Sequence, residues 1–145
     1  MNVWKTSELI FIPALSGISA QIIKLFLYYV VHKKINFKRL FEMGGIPSSH
    51  SAAVTSLSLI IALKTGCTSA IFAVTIFFSF LVIYDAAGLR KAAGQQATVL
   101  NKILDEINKK GKFSEEKLIE LIGHTPIEII AGIIYGFLLA FVLYR

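Results

Sequence analysis

The chain has 145 residues, 55% of them hydrophobic, a mean hydropathy of +0.68 and a formal net charge of +6. That length holds one domain, 1–145, and the apolar content exceeds that of an ordinary soluble protein, so lipid is the expected solvent. The single cysteine, Cys67, excludes an intrachain disulfide, and the basic residues flank apolar runs without interleaving with exposed aromatics, which points to anionic headgroups and away from nucleic acid.

Residues 7–31 carry only Glu8 and Lys24 as charged groups and are long enough to cross a hydrocarbon core of about 30 Å. Lys24 falls where a cleavable signal segment needs small neutral residues, so the run reads as a retained first span. With Gln21 one turn earlier, Lys24 is a buried charge for which two readings stand, pairing with Asp85 or contact with a substrate phosphate. A basic loop at 32–46 follows, with Lys33, Lys34, Lys38 and Arg39.

The second span, about 47–64, opens at Ile46-Pro47-Ser48-Ser49-His50. Proline in a first helical turn forfeits no hydrogen bond, small serines let an anion approach unpaired N–H groups, and an imidazole there can protonate a departing alkoxide. The plainer alternative is a capped helix whose histidine sits at the interface. After a turn at Lys64-Thr65-Gly66 comes a third span, about 67–88, uncharged from Thr68 to Tyr84 and ending in Asp85. An acid there is costly unless paired, which makes Asp85 a functional candidate. On a continuous helix Asp85 and Arg90 lie roughly 140° apart, so Arg90 either forks onto phosphate oxygens or snorkels to headgroups.

In the polar stretch 91–123, Val99, Leu100, Ile103, Leu104 and Ile107 recur at helical spacing opposite Lys102, Asp105, Lys109 and Lys110, which suits a helix lying on the membrane surface. Gly111 interrupts it, and Ser114, Lys117, Leu118 and Leu121 outline a second short helix. The fourth span, about 126–144, opens at Gly123-His124-Thr125-Pro126-Ile127-Glu128. His124 and Glu128 are one turn apart, so the carboxylate can hold the ring and leave its other nitrogen as a nucleophile. The same residues spell a T-x-x-E capping box with proline at its first helical position. One side chain is not expected to serve both purposes. The Gly132-x-x-x-Gly136 spacing lets helices approach closely.

Four spans place both termini on one side and loops 32–46 and 89–124 on the other. Lys33, Lys34, Lys38, Arg39, Arg90, Lys91, Lys102, Lys109, Lys110, Lys112 and Lys117 lie in those loops, against Lys5, Lys64 and Arg145 opposite, so the loops are expected in the cytoplasm of a bacterial plasma membrane protein. This topology gathers His50, Asp85, Arg90, His124 and Lys24 toward one membrane face. Hard cations accept carboxylates at irregular spacing, so His50, Asp85, Glu120, His124 and Glu128 leave a metal reading open, but no metal-specific motif is present and neither metal nor cofactor is expected.

Three ordered segments, Gly44-Gly45-Ile46-Pro47-Ser48-Ser49-His50-Ser51-Ala52, Tyr84-Asp85-Ala86-Ala87-Gly88-Leu89-Arg90 and Gly123-His124-Thr125-Pro126-Ile127-Glu128, resemble the divergent PAP2 family, related to type 2 phosphatidic acid phosphatases and vanadium haloperoxidases. The resemblance implies a PAP2-like helical core, His124 as the nucleophile forming a phosphohistidine, His50 as the acid for the leaving group, and Glu128 in place of the usual aspartate. The chain departs from the PAP2 pattern in three respects. Ser49 stands where glycine is usual, no Arg-Pro pair follows Lys24 or Lys33, and no Ser-Arg precedes His124, so Arg90, Lys24 and Arg39 would supply the phosphate clamp with Ser48 and Ser49.

The expected protein is therefore an all-α integral membrane protein of about four transmembrane helices plus a cytoplasmic amphipathic segment. Its expected function is lipid-phosphate hydrolysis through a phosphohistidine. Phosphatidylglycerophosphate, phosphatidic acid and polyprenyl diphosphate are the candidate substrate classes, the phospholipids fitting a cytoplasmic site better than the isoprenoid phosphate. Two other classes compete: a noncatalytic phospholipid-binding or assembly protein, which the missing arginine motifs favour, and a proton-coupled transporter using Lys24 and Asp85, which so few spans would require to be a homodimer.

Overall fold

The computed structural model describes the backbone at residues 3–34, 45–87, 89–108 and 124–144, and side chains at 7–34, 45–87, 94–105 and 124–144. The described residues form five helices: α1 (Val3–His32), α2 (Ser49–Thr65), α3 (Ala70–Ala87), α4 (Leu89–Asn108) and α5 (Pro126–Leu143). Every apolar run read from the sequence forms a helix, with ends displaced by a few residues at most.

Burial is inverted relative to a water-soluble bundle. Ser16, Ser48, Ser51 and Ser56 are fully buried, as are Ala20, Ala52 and Ala140, whereas Phe11, Val74, Phe77 and Ile127 are each more than 65% exposed. Lipid explains both halves. Large apolar side chains gain nothing by leaving hydrocarbon, so helices associate through small residues that let backbones approach and through hydroxyls that bond across the interface. Ser58 and Ser79 join α2 to α3 at 2.9 Å, and the Tyr135 hydroxyl donates to Ser19 Oγ at 2.7 Å between α5 and α1.

Among the described residues, three helices are long and apolar enough to cross a membrane: α1 over Ser7–His32, α3 and α5. Of the about four spans expected, three have the length and composition to cross. The fourth candidate, α2, has 17 residues, roughly 26 Å of helix, and carries buried serines because it packs among α1, α3 and α5 rather than facing lipid.

The tightest contact is between α2 and α5, which run parallel. A Cβ at Gly132 would come within 2.5 Å of the Ser48 carbonyl oxygen, and one at Gly136 would overlap the Ala52 backbone. Equal spacing of the two glycines and their two neighbours keeps the helices in register, so both N-termini emerge at the same end of the bundle. At the other end, Lys64 of α2 pairs with Glu8 of α1 at 2.6 Å, and its ammonium lies 5.6 Å from the Tyr144 ring centroid just beyond α5.

The amphipathic stretch forms α4, beginning immediately after α3. Its Gly94, Ala97 and Asn101 are buried, while Val99, Leu100 and Ile103 are exposed, the arrangement a helix has when its apolar stripe meets lipid. The second short helix expected near 114–121 lies outside the described residues.

Gly136→Val should cost several kcal/mol, because the added carbons meet backbone that cannot move aside, whereas lipid-facing Phe77→Leu should be near neutral. Thermal unfolding in detergent, followed by size-exclusion of the surviving fraction, measures both. Equal stability of the two variants would contradict the close α2–α5 contact.

Candidate active site

The end of the bundle where α2 and α5 begin gathers residues distant in the chain. Ser48 is the N-cap of α2: its Oγ accepts from the Ser51 N–H at 3.3 Å and from the Ser51 hydroxyl at 3.1 Å, and the residue is fully buried. Its own N–H donates to the Glu128 carbonyl at 3.0 Å, tying the start of α2 to the first turn of α5. Ser49 and His50, half-buried, occupy the first helical turn, where backbone N–H groups have no partner within the helix.

Thr125 caps α5. Its hydroxyl accepts from the Glu128 N–H at 3.4 Å, the Glu128 carboxylate accepts from the Thr125 N–H at 2.9 Å, and Pro126 takes the first helical position. The capping box is therefore present. The ring contact is present too, because His124 Nδ1 lies 3.1 Å from Glu128 Oε2, the same oxygen that takes the Thr125 N–H. The expectation that one carboxylate would not do both is corrected. A carboxylate oxygen has two lone pairs, and His124 directly precedes the cap, so both donors reach Oε2 from adjacent residues. The other oxygen, Oε1, accepts from the Gly45 N–H at 2.9 Å.

With the carboxylate accepting at Nδ1, a neutral His124 ring carries its proton there and its lone pair on Nε2. The ring is held in a dry place, with its side chain 1% exposed. Its backbone N–H donates to the Ala86 carbonyl at 3.0 Å, anchoring it to the end of α3 beside half-buried Asp85. The His50 and His124 rings face each other with centroids 5.9 Å apart and planes tilted by 60°.

Lys24 is buried in α1, and one residue links it to Glu128. Gly45 stands between them. Its φ of +92° suits glycine, and a Cβ there would lie 3.3 Å from Lys24 Cδ. Sequence reasoning missed this residue, since nothing in Gly44-Gly45-Ile46-Pro47 beyond a glycine before a proline marks an N–H directed at a distant carboxylate. The Ala86 carbonyl, a backbone group, was equally invisible. Arg39 lies outside the described residues; Arg90 lies on α4, with its side chain outside them. Among the described residues no group of three or more His, Cys, Asp or Glu is arranged to hold a metal ion.

Two parallel helices present their N-termini here, each with the positive end of its dipole, beside a buried lysine. Such a place favours an anion, and a neutral imidazole with a carboxylate behind it and a second imidazole in front can act on that anion as nucleophile and acid.

The description of a divergent PAP2 family matches residues 6–139 of the chain. A relative from Bacillus subtilis (strain 168), called uncharacterized membrane protein YuiD, is 40% identical over 146 residues, covering 90% of this chain and 92% of its own length. No solved structure matches the chain.

Glu128→Ala removes the acceptor of three donors and should lower stability by about 2 kcal/mol or more, while Glu128→Gln, which keeps one acceptor oxygen, should cost less. Chemical unfolding in detergent checks the order, and equal loss in both variants would overturn it, showing that one remaining acceptor oxygen recovers nothing.

Proposed function

The chain belongs to the divergent PAP2 family, and from that premise we propose that it is a membrane lipid-phosphate phosphatase working through a phosphohistidine. The observation that carries this reading is the facing pair of imidazoles, one backed by Glu128, at two converging helix N-termini. His124 Nε2 attacks phosphorus, a P–N bond forms, and the P–O bond to the lipid alcohol breaks as His50 gives its proton to the leaving oxygen. His50, now neutral, takes a proton from water, which attacks phosphorus and breaks the P–N bond to release inorganic phosphate.

Charge on the equatorial oxygens is met by N–H groups at the starts of α2 and α5, by Ser49, and by the cations Lys24, Arg39 and Arg90. Ser48 contributes by capping α2, and Asp85 by holding a basic partner. The basic loops put this face in the cytoplasm, where phosphatidylglycerophosphate or phosphatidic acid fits better than polyprenyl diphosphate. A second reading, a noncatalytic phospholipid-binding membrane protein, draws support from one feature: the chain has neither an Arg-Pro pair after Lys24 nor a Ser-Arg before His124.

Phosphate release from a panel of lipid phosphates in detergent tests the proposal. His124→Ala should abolish turnover, His50→Ala should lower it roughly 10²–10⁴-fold, vanadate should inhibit and EDTA should not. The rate should follow a bell in pH, since one histidine must be neutral and the other protonated. Absence of turnover on every substrate would favour the binding protein, and loss of activity in EDTA would favour a metal mechanism.

A further inference from the structure

The phosphatase reading uses Lys24 as one of several cations near a phosphate. Its surroundings give it a more specific task. The lysine is 8% exposed, its aliphatic chain lies on Gly45, and the N–H of Gly45 is bonded to Glu128 Oε1. On the opposite oxygen, Glu128 holds His124 Nδ1. One carboxylate, its side chain 15% exposed, thus links a buried lysine and a buried imidazole.

We propose that Lys24 is a positioning residue: it supplies the counter-charge of Glu128, so that His124 need not, and thereby keeps the His124 ring neutral with its lone pair on Nε2. A carboxylate largely withdrawn from water draws a cation toward it, because isolated charge in a low-dielectric setting is costly. With Lys24 in place that demand is met, and a second proton on the histidine would be repelled by the ammonium. Without Lys24 the nearest group able to become a cation is His124 itself, and an imidazolium has no lone pair with which to attack phosphorus.

The other charged or titratable groups around the ring do not substitute for Lys24. From α2 comes His50, whose proposed work requires it to lose and regain a proton. From α3 comes Asp85, beside the Ala86 carbonyl that accepts the His124 N–H, and an acid can only increase the demand for a cation. Arg90 is the charged residue of α4 nearest the end of α3 in the chain, with its side chain outside the described residues.

This inference rests on the phosphatase reading for its purpose, but its test does not require turnover. The full-length protein, labelled with ¹⁵N-histidine and reconstituted in nanodiscs, is titrated by NMR, with His124 assigned by the loss of its signals in His124→Gln. Lys24→Met should raise the proton affinity of His124 about tenfold, and Lys24→Arg should restore the wild-type midpoint. Adding Glu128→Gln to Lys24→Met should bring the midpoint back down, since the carboxylate that draws the proton is gone. Lys24→Gln, uncharged and polar, repeats the first measurement in a side chain that a buried site tolerates differently from methionine.

An unmoved or lowered midpoint in both uncharged variants, or an arginine variant that behaves as they do, overturns the proposal. If Lys24 is only a phosphate clamp, its loss weakens vanadate binding while the midpoint stays fixed. If no lipid phosphate is hydrolysed but the midpoint moves as described, the phosphatase reading fails and the charge arrangement stands.

Discussion

The architecture depends on a contact with no side chain on one of its two faces. Gly132 and Gly136 let α5 lie directly on the backbone of α2, and because the helices are parallel the contact fixes where both begin. A shift of one turn along the axis would carry the start of α5 about 5.4 Å away from the start of α2. The Ser48 N–H could not then reach the Glu128 carbonyl, the Gly45 N–H could not reach Glu128 Oε1, and the two histidine rings would no longer face each other. Site geometry is thus a property of helix register, set by residues a turn or more inside the bundle.

Glu128 then turns register into chemistry. Its carboxylate joins three pieces of chain: the cap of α5, the segment before α2, and the His124 ring. Such sharing suits a membrane setting, where an unpaired polar group has no water to turn to and each acceptor is best used several times. It also fixes the ring tautomer with no group beyond those needed to begin the helix. Further stiffness comes from hydroxyls inside the bundle, such as Ser58 with Ser79 and Tyr135 with Ser19.

Much of this was legible in the sequence. Apolar runs located α1, α3 and α5, because continuous hydrophobicity of that length has few other uses, and the proline-flanked histidines marked the two helix starts that come together, because helix starts carry their own grammar of caps and prolines. The repeat of Val99, Leu100 and Ile103 located α4. Other parts were not legible. That α2 is enclosed by protein, and so can afford its serines, depends on packing rather than on its own pattern. That Lys24 lies near Glu128 rather than being tied by spacing to any one acid, and that Gly45 directs an N–H at that acid, are relations across more than eighty residues that no local rule encodes. The double use of Glu128 was visible as two alternatives, and only coordinates show that one oxygen can accommodate both.

Running α2 and α5 in the same direction has a topological consequence for α3. A chain that has traversed the bundle once must return before it can traverse it again in the same sense, and α3 is that return leg. It touches chiefly α2, with Ser79 bonding across to it, and turns Val74, Phe77, Phe78, Phe80 and Leu81 outward. Its outer surface therefore answers only to solubility in hydrocarbon. Among homologues it is the stretch where one oily residue should replace another most freely, an identity-poor ribbon beside the helix starts whose common orientation it makes possible.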